Sequence, residues 1–255
     1  MYKPKISIIT VVKDSASTIT DAIDSVLKQT YKNVEYIIID GASSDGTVEH
    51  VLDYGSYISK FISEKDNGIY DAMNKGIKLA TGEIIGILNS DDVYFDHNVL
   101  ENIANIFRVN EPDCIYGDLQ YVDKNNLNKT LRHWRSSDFK AGSFARGWHP
   151  PHPTFFVKKE IYNKYGLFDT QIKVSADFDL MLRFLEKYKI SSEYIPKILV
   201  KMRTGGVSNN SLKNIITSNR FILKAFDKNK IKINKLAYVF YRLVPKIFQR
   251  IRKDR

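Results

Sequence analysis

The sequence predicts an α/β fold, with a mostly parallel central sheet, helices on both faces and a C-terminal helical extension. Two observations predict it. Short β-branched segments alternate with segments whose apolar residues recur at helical spacing, which is the pattern of successive βαβ units. Three of the predicted strands also run directly into acidic turns. Parallel strands bring such turns to one edge of the sheet, where α/β proteins bind their ligands.

The first half of the chain carries the regular alternation. The predicted strands cover residues 6–12, 34–39, 57–63 and 84–88. The predicted helices cover residues 17–29, 47–54 and 69–80. Ser17 is a plausible N-cap of the first helix, and Gly82 suits the C-terminal cap of the third.

The second half is less regular. Further strands are predicted at residues 113–122 and 195–202, and further helices at 100–107, 157–165 and 177–187. A polar turn at 124–128 follows the first of these strands. Residues 131–157 are rich in His, Trp and Pro and are predicted to form loops.

Composition limits the class of protein. The 255 residues are 43% hydrophobic, which suffices for one domain core with an appendage. No run of eighteen apolar residues is present, and residues 1–5 lead into the first strand without the apolar region of a signal peptide. The single cysteine, Cys114, excludes an internal disulfide and is expected to be a buried apolar residue. We therefore expect a cytoplasmic location.

The net charge of +10 is concentrated at the C-terminus. Residues 228–255 contain ten Lys or Arg and one Asp, a net charge of +9, which leaves +1 for residues 1–227. The body therefore lacks the excess of cations that phosphate contacts to nucleic acid require. Apolar residues recur at three- and four-residue intervals from Leu236 to Ile251, with basic residues between them. Such a helix either lies on an anionic membrane surface or packs on the body by its apolar face, and we favour the membrane.

The motifs of common nucleotide sites are missing. No Gly-x-Gly-x-x-Gly follows the first strand, and no Gly-x-x-x-x-Gly-Lys-Ser/Thr is present. The tetrapeptide Asn89-Ser90-Asp91-Asp92 at a strand end offers carboxylates instead. Mg²⁺ or Mn²⁺ binds through one or two carboxylates together with substrate phosphates. A helix cap or an Asx-turn accounts for the same residue types without a metal.

The order of short motifs along the chain resembles family 2 inverting glycosyltransferases, which have the GT-A fold. The motifs begin at Ile8, Asp40, Asp66, Ala80 and Leu88, and they read IITVV, DGASSDGT, DNG, ATGE and LNSDD. The resemblance covers residues 5–205. It implies a glycosyltransferase domain over 1–205, with a nucleotide-binding half over about 1–115 and an acceptor-binding half over 116–205. Residues 206–255 are then the basic extension.

The resemblance also implies roles for individual residues. Asp40 would accept a hydrogen bond from the nucleobase, uracil in many members, and Asp91 would bind Mg²⁺ or Mn²⁺, with Asp92 as a second ligand. The other residues expected in the donor site are Thr10, Val11, Asp66, Asn89, Ser90 and Arg203. Asn89 departs from the family, which often has Asp there; an amide brings no charge, so weaker metal binding is expected.

The second half supplies the expected base. Ser175-Ala176-Asp177-Phe178 matches the position of the family's Glu-Asp motif, with Ala176 in place of the Glu. The resemblance therefore implies that Asp177 deprotonates the acceptor hydroxyl. The alternative is an acidic residue that complements a helix dipole, and both roles are compatible. Asp179 is expected to be structural.

Three loop residues are candidates for acceptor contacts: Trp148, His149 and His152. A proline-fixed loop with packed aromatic side chains explains them equally well without a ligand. Arg203, beside Gly205, is a candidate for closing over the diphosphate, and a solvated Arg at a strand end is the alternative.

The sequence thus predicts an enzyme that transfers a sugar from a nucleotide-sugar, with UDP as the favoured nucleotide, to an acceptor hydroxyl. The resemblance implies a lipid-linked saccharide acceptor in surface-polysaccharide assembly at the inner membrane. Two alternatives stay open. One is a sugar nucleotidyltransferase, which would release pyrophosphate. The other is a non-enzymatic module that binds membrane or nucleic acid through the basic tail.

Overall fold

The computed structural model describes residues 2–205, 212–235 and 237–238. Within them, nine strands form one sheet and seven α-helices surround it. The strands are β1 (Ile6–Val12), β2 (Val34–Asp40), β3 (Lys60–Ser63), β4 (Ile84–Ile87), β5 (Asp92–Tyr94), β6 (Cys114–Asp123), β7 (Asn126–Trp134), β8 (Phe156–Lys158) and β9 (Ser192–Arg203). The helices are α1 (Ile19–Leu27), α2 (Thr47–Leu52), α3 (Ile69–Leu79), α4 (Val99–Asn110), α5 (Lys159–Tyr165), α6 (Ala176–Leu182) and α7 (Leu212–Lys228).

The first four strands of the sheet are parallel, in the order β3-β2-β1-β4. Their register aligns their carboxyl ends. Val12 of β1 pairs with Asp40 of β2, and Asp40 pairs with Ser63 of β3. The predicted acidic turns after β2 and β3 therefore start at one level, and the turn after β4, whose last residue Ile87 pairs with Ile9, lies on the same edge of the sheet.

The second half of the sheet is mixed. β8 runs antiparallel between β4 and β6, β6 is parallel to β9, and β5 is antiparallel to β9. Asp92 of β5 pairs with Met202, next to Arg203 at the end of β9. The loop after β4 is thereby attached to a strand that lies more than one hundred residues later in the chain.

The core lies on both faces of the sheet. Neighbouring residues of β1 belong to opposite clusters: Ile8 packs with α1 and α4, while Ile9 packs with α3 and α6. Both are fully buried, as expected for a parallel strand that is covered on both faces. Gly76 of α3 lies directly on Ile9, since a Cβ there would be 2.4 Å from the Ile9 Cγ2.

Several local predictions were wrong. Ser17 is not the N-cap of α1, which begins after Thr18. Gly82 does not cap α3; its α-carbon lies against β1, where a Cβ would be 2.7 Å from the Ser7 nitrogen.

Three strands were not predicted. β5 and β8 have three residues each, too few for a periodic signal. β7 covers part of the predicted turn at 124–128 and the start of the predicted loop at 131–157, and it is mostly exposed, so it lacks the alternation of apolar residues that marks a half-buried strand.

The start of the C-terminal extension packs on the body. Phe226 of α7 meets Phe178 of α6 at 5.6 Å between ring centroids and Tyr238 at 5.3 Å. Lys228 forms an ion pair with Asp169 at 2.6 Å. The predicted amphipathic stretch from Leu236 to Ile251 lies outside the described residues, apart from 237–238. None of the described helices has the length and apolar composition needed to cross a membrane.

Candidate active site

Asp40 closes the carboxyl end of β2 and is fully buried. Its carboxylate accepts hydrogen bonds from the Ser43 amide at 2.9 Å, from the Ser43 hydroxyl and from the Ser63 hydroxyl at 2.6 Å. The last of these bonds joins the ends of β2 and β3. Asp40 therefore lies at this edge of the sheet and also holds the ends of β2 and β3 together there.

Asp66 lies against the turn that follows β2. A Cβ on Gly41 would stand 2.5 Å from the Asp66 Oδ2, so only glycine permits this approach. The other carboxylate oxygen of Asp66 accepts a hydrogen bond from the Gly68 amide at 2.8 Å. Asp40-Gly41 and Asp66-Asn67-Gly68, which are 26 residues apart in the sequence, thus lie in contact at the carboxyl edge of the sheet, where the resemblance places the nucleotide cleft.

The loop after β1 lies between the turns that follow β2 and β4, and it is hydrogen-bonded to both. The Asp14 carboxylate accepts from the Ser44 amide at 2.9 Å, and the Ser15 amide donates to the Thr47 hydroxyl at 2.9 Å. On the other side, the Ser90 hydroxyl donates to the Ser15 hydroxyl at 3.2 Å. The ends of β1, β2 and β4 are therefore connected through short polar side chains.

Thr10 and Val11 do not present side chains to this cleft. Thr10 is fully buried, and its hydroxyl is 3.0 Å from the Tyr36 hydroxyl within the sheet. Val11 belongs to the core on the α3 side. A nucleobase at this position would meet the main chain at the end of β1 rather than the two predicted side chains.

The two carboxylates of the turn after β4 differ in exposure. Asp92 is fully buried on β5. Its Oδ2 accepts a hydrogen bond from the side-chain amide of Asn89 at 2.9 Å, and its Oδ1 has no hydrogen-bond partner among the described residues. Burial and the neighbouring charge of Asp91 raise the pKa of Asp92 well above its usual value. The prediction of Asp92 as a second metal ligand therefore differs from the structure, which holds this carboxyl beneath the turn.

Asp91 is the more exposed of the two carboxylates of this turn. It is partly exposed, and burial raises its pKa while the Arg203 charge opposes the rise. Among the described residues, no group of three or more His, Cys, Asp or Glu converges on one point. One carboxylate is nevertheless the protein ligand that Mg²⁺ or Mn²⁺ uses when substrate phosphates complete its coordination. Asp91 fits that mode of binding.

Arg203 does not lie over the cleft as predicted, nor is it solvated. It is 7% exposed, and its guanidinium donates to the carbonyls of Asp91 at 2.9 Å and Lys124 at 3.2 Å. It also forms an ion pair with Asp21 of α1. Arg203 therefore fixes the main chain of the Asp91 turn from behind, because β9 ends where β5 begins.

Asp177 lies in the first turn of α6 and is partly buried. Tyr70, from the first turn of α3, places its hydroxyl 3.3 Å from the Asp177 Oδ1. Tyr70 follows Asp66 by four residues, so the segment that begins at Asp66 is joined to α6 through the Tyr70 side chain. Burial, and then the Asp177 charge, raise the pKa of Tyr70 well above its usual value, which keeps its hydroxyl protonated.

His152 is the acceptor candidate that lies beside Asp177. Its ring stands edge-on to Phe168 at 5.6 Å and is almost fully buried. Burial lowers the pKa of His152, and the Asp177 charge opposes that effect.

Trp148 and His149 pack into aromatic contacts. The Trp148 ring is partly buried and packs against the core, 5.8–6.0 Å from the rings of Tyr116, Phe139 and Phe144. His149 stands edge-on between Trp134 and Phe178 at 5.2 and 5.4 Å. The packing explanation therefore describes Trp148, and Trp134 is the tryptophan that joins His149 at the end of β7.

Asp179 is structural, as predicted. It is fully buried and accepts a hydrogen bond from the Asn229 amide at 2.8 Å, with Lys228 at 3.5 Å. Sequence reasoning missed Tyr70 and Asn229. The segment Asp66–Tyr70 places Tyr70 one helical turn from a predicted site residue, which was the only available signal; Asn229 had none.

Comparison with known proteins places this geometry in a family. The model for glycosyl transferase family 2 matches residues 7–166. An uncharacterized glycosyltransferase of Rickettsia typhi is 32% identical over 209 residues, which cover 79% of this chain and 64% of that protein. A PGL/p-HBAD biosynthesis glycosyltransferase of Mycobacterium bovis is 26% identical over 259 residues, covering 98% of this chain and 94% of that protein. The chain thus spans less than two thirds of the rickettsial relative.

Solved structures share the fold. TarS 1–349 of S. aureus in complex with UDP-GlcNAc has a TM-score of 0.68 at 17% identity, covering 93% of this chain and 70% of that one. The mannosyltransferase PcManGT of Pyrobaculum calidifontis, in complex with GDP-Man and Mn²⁺, has a TM-score of 0.66 at 18% identity, covering 94% of this chain and 70% of that one. The likeness confirms the predicted GT-A fold.

Proposed function

The chain belongs to glycosyl transferase family 2, and from that premise we propose that it transfers a sugar, with inversion, from a UDP-sugar to an acceptor hydroxyl. The sugar is a hexose or an N-acetylhexosamine. The observation that carries the proposal is the position of Asp40, Asp66 and Asp91 at or just after the carboxyl ends of β2, β3 and β4, on one edge of the sheet. The two alternatives predicted from the sequence, a sugar nucleotidyltransferase and a non-enzymatic binding module, are classes of protein other than this family.

The donor would bind across the ends of β1 to β4. Asp40 and Asp66 line the side where the nucleobase and ribose would lie, and Asn89 and Ser90 lie towards the ribose and diphosphate. Asp91 would hold Mg²⁺ or Mn²⁺, which neutralises the negative charge that grows on the leaving diphosphate. The Arg203 bond to the Asp91 carbonyl supports this ligand by fixing its main chain.

The acceptor hydroxyl would lie at Asp177. The carboxylate takes the hydroxyl proton while the oxygen attacks the anomeric carbon opposite the leaving nucleotide. His152 lies within the electrostatic reach of Asp177 and orients the acceptor by hydrogen bonding. His149, between Trp134 and Phe178, extends the acceptor side.

A lipid-linked saccharide at the cytoplasmic face of the inner membrane is the acceptor that we propose. The +9 charge of residues 228–255 supports it, because anionic headgroups attract clustered Lys and Arg at about 1 kcal/mol for each residue near the surface. The described start of the extension docks on the body, so the membrane contact would lie further along the chain.

The donor class is tested by ligand-induced thermal stabilisation with UDP, GDP, CMP and dTDP, each with and without Mn²⁺. At a hundred times its dissociation constant, a nucleotide adds about 2.7 kcal/mol to the free energy of unfolding. We expect a Mn²⁺-dependent shift with UDP. A shift with GDP alone would replace the UDP assignment, and no shift with any nucleotide would contradict the donor site.

A further inference from the structure

Tyr70 occupies a position between the two halves of the site. It lies in the first turn of α3, directly after Asp66-Asn67-Gly68, a segment of the proposed donor site. Its ring stacks on Phe168, with centroids 5.6 Å apart and planes 23° apart. The ring is thereby held in place, and its hydroxyl reaches the N-terminus of α6.

The N-terminus of α6 has no cap of its own. Ser175, at the N-cap position, has a left-handed backbone with φ of 70°, and its side chain bonds the Ser218 hydroxyl at 2.8 Å instead of the helix. The Tyr70 hydroxyl lies beside this N-terminus and donates a hydrogen bond to the Asp177 Oδ1 at 3.3 Å.

An ionised carboxylate can only accept, so the Tyr70 O–H is the donor in its hydrogen bond with Asp177. A hydrogen bond to one carboxylate oxygen fixes the rotation of the whole group, since both oxygens share a plane. The second oxygen, Oδ2, is then held in one direction for an incoming hydroxyl.

We propose that Tyr70 is a positioning residue for sugar transfer: it orients the Asp177 carboxylate and joins it to the donor segment that begins at Asp66. The inference rests on the proposed role of Asp177 as base. Reaction between bound groups requires the reacting atoms to be held within narrow distance and angle, and a misplaced base reduces the rate without reducing donor affinity.

The test compares Tyr70→Phe, Asp177→Asn and the double variant with the wild-type chain. The donor is the sugar conjugate of the nucleotide selected by the stabilisation panel, and octyl glycosides serve as acceptors. We expect Tyr70→Phe to lower kcat by about 10- to 100-fold, the range for loss of a hydrogen bond to a charged group. The donor KM should stay within about twofold, and the nucleotide-induced stabilisation should be unchanged.

The pH profile separates positioning from simple helix capping. A lost donor to the charged carboxylate disfavours ionisation, so the acidic limb of the kcat profile should move to higher pH in Tyr70→Phe. A purely structural Tyr70 would lower the thermal midpoint and leave that limb in place. Tyr31→Phe is the matched control, because it removes another buried hydroxyl, which donates to the Pro4 carbonyl at 2.6 Å.

The outcomes distinguish the two proposals. If Asp177→Asn retains wild-type transfer, the assignment of the base fails. If Asp177→Asn is inactive while Tyr70→Phe keeps wild-type kcat and pH profile, the positioning role fails. Adding Tyr70→Phe to Asp177→Asn should cause no further loss, because the two residues act as one unit; a full additive loss would also overturn the inference.

Discussion

The proposed donor edge, formed by the carboxyl ends of β1 to β4, and the proposed base helix, α6 with Asp177, are built in different ways. At the donor edge, Asp40 bonds Ser43, three residues away, and Ser63, 23 residues away. At the base helix, Asp177 meets Tyr70 across 107 residues, and Asp179 meets Asn229 across 50. The first region is a row of neighbouring strand ends, whereas the second is assembled from helices that are far apart in the sequence.

Because of this difference, we expect the two regions to be sensitive to different perturbations. Contacts between adjacent strand ends follow from the register of the parallel sheet, so the donor edge is fixed once β1, β2 and β4 pair. The position of Asp177 depends on the docking of α3 and α7 on α6. We therefore expect perturbations of the helices to affect transfer before they affect nucleotide binding.

The largest expected effect is a crossed pair of losses. Asp177→Asn should reduce transfer by about 10²–10⁴-fold, the usual contribution of a positioned general base, and keep the Mn²⁺-dependent nucleotide shift. Asp91→Asn should abolish that shift, a loss of about 2.7 kcal/mol at a hundred times the dissociation constant. Transfer assays and thermal melts measure the two effects.

Asp53→Asn, on the exposed end of α2, is the control for both substitutions. If Asp177→Asn lost the nucleotide shift as well, the two regions would not be separable, and the comparison would be broken.

Glu35 gives a further test of the comparison, because the side chains and amides that it contacts belong to residues 1–115, the proposed nucleotide-binding half. It is 4% exposed and bonds the Ser7 hydroxyl and the Thr81 amide. Burial alone would raise its pKa, but these hydrogen bonds and the charge of Lys5 lower the pKa to about 2 from 4.5. A lowered pKa in the folded state stabilises the protein above pH 4.5, and the contribution is lost as the pH falls towards 2.

Glu35→Gln should therefore lower the free energy of unfolding by about 2–3 kcal/mol at pH 7 and by much less at pH 3. Urea melts at the two pH values measure the difference, with the exposed Glu49→Gln as control. An equal loss at both values would show that shape, and not charge, explains the effect.

The smallest expected effect comes from the junction of α6 and α7. Asn229 is buried, and Asn229→Ala leaves the Asp179 Oδ1 without this donor, at a cost of about 1–3 kcal/mol in unfolding free energy. Because Asp179 lies in the same helical turn as Asp177, transfer should fall more than nucleotide binding does. Asn128→Ala, on the exposed β7, is the matched control. Equal losses of transfer and binding would contradict independent assembly of the two regions.

The sequence alone determined the strand ends and the order of the acidic turns. The predicted strand at residues 6–12 agrees with β1 in both bounds, and Asp40 ends β2 one residue after the predicted end. These features are local, because β-branched runs followed by polar turns specify where a buried strand stops. Since the turns and their order also carry the family resemblance, the GT-A fold followed from the same residues.

The tertiary structure decided which side chains face the cleft. Asp91 and Asp92 are adjacent in sequence, yet Asp92, which lies in β5 and pairs with β9, is fully buried, whereas Asp91 is partly exposed. The same pairing turns Arg203 towards the Asp91 carbonyl. Tyr70 and Asn229 reach α6 only because helices distant in sequence pack there. Strand ends are set by neighbours along the chain, whereas these contacts depend on long-range packing, which no local pattern encodes.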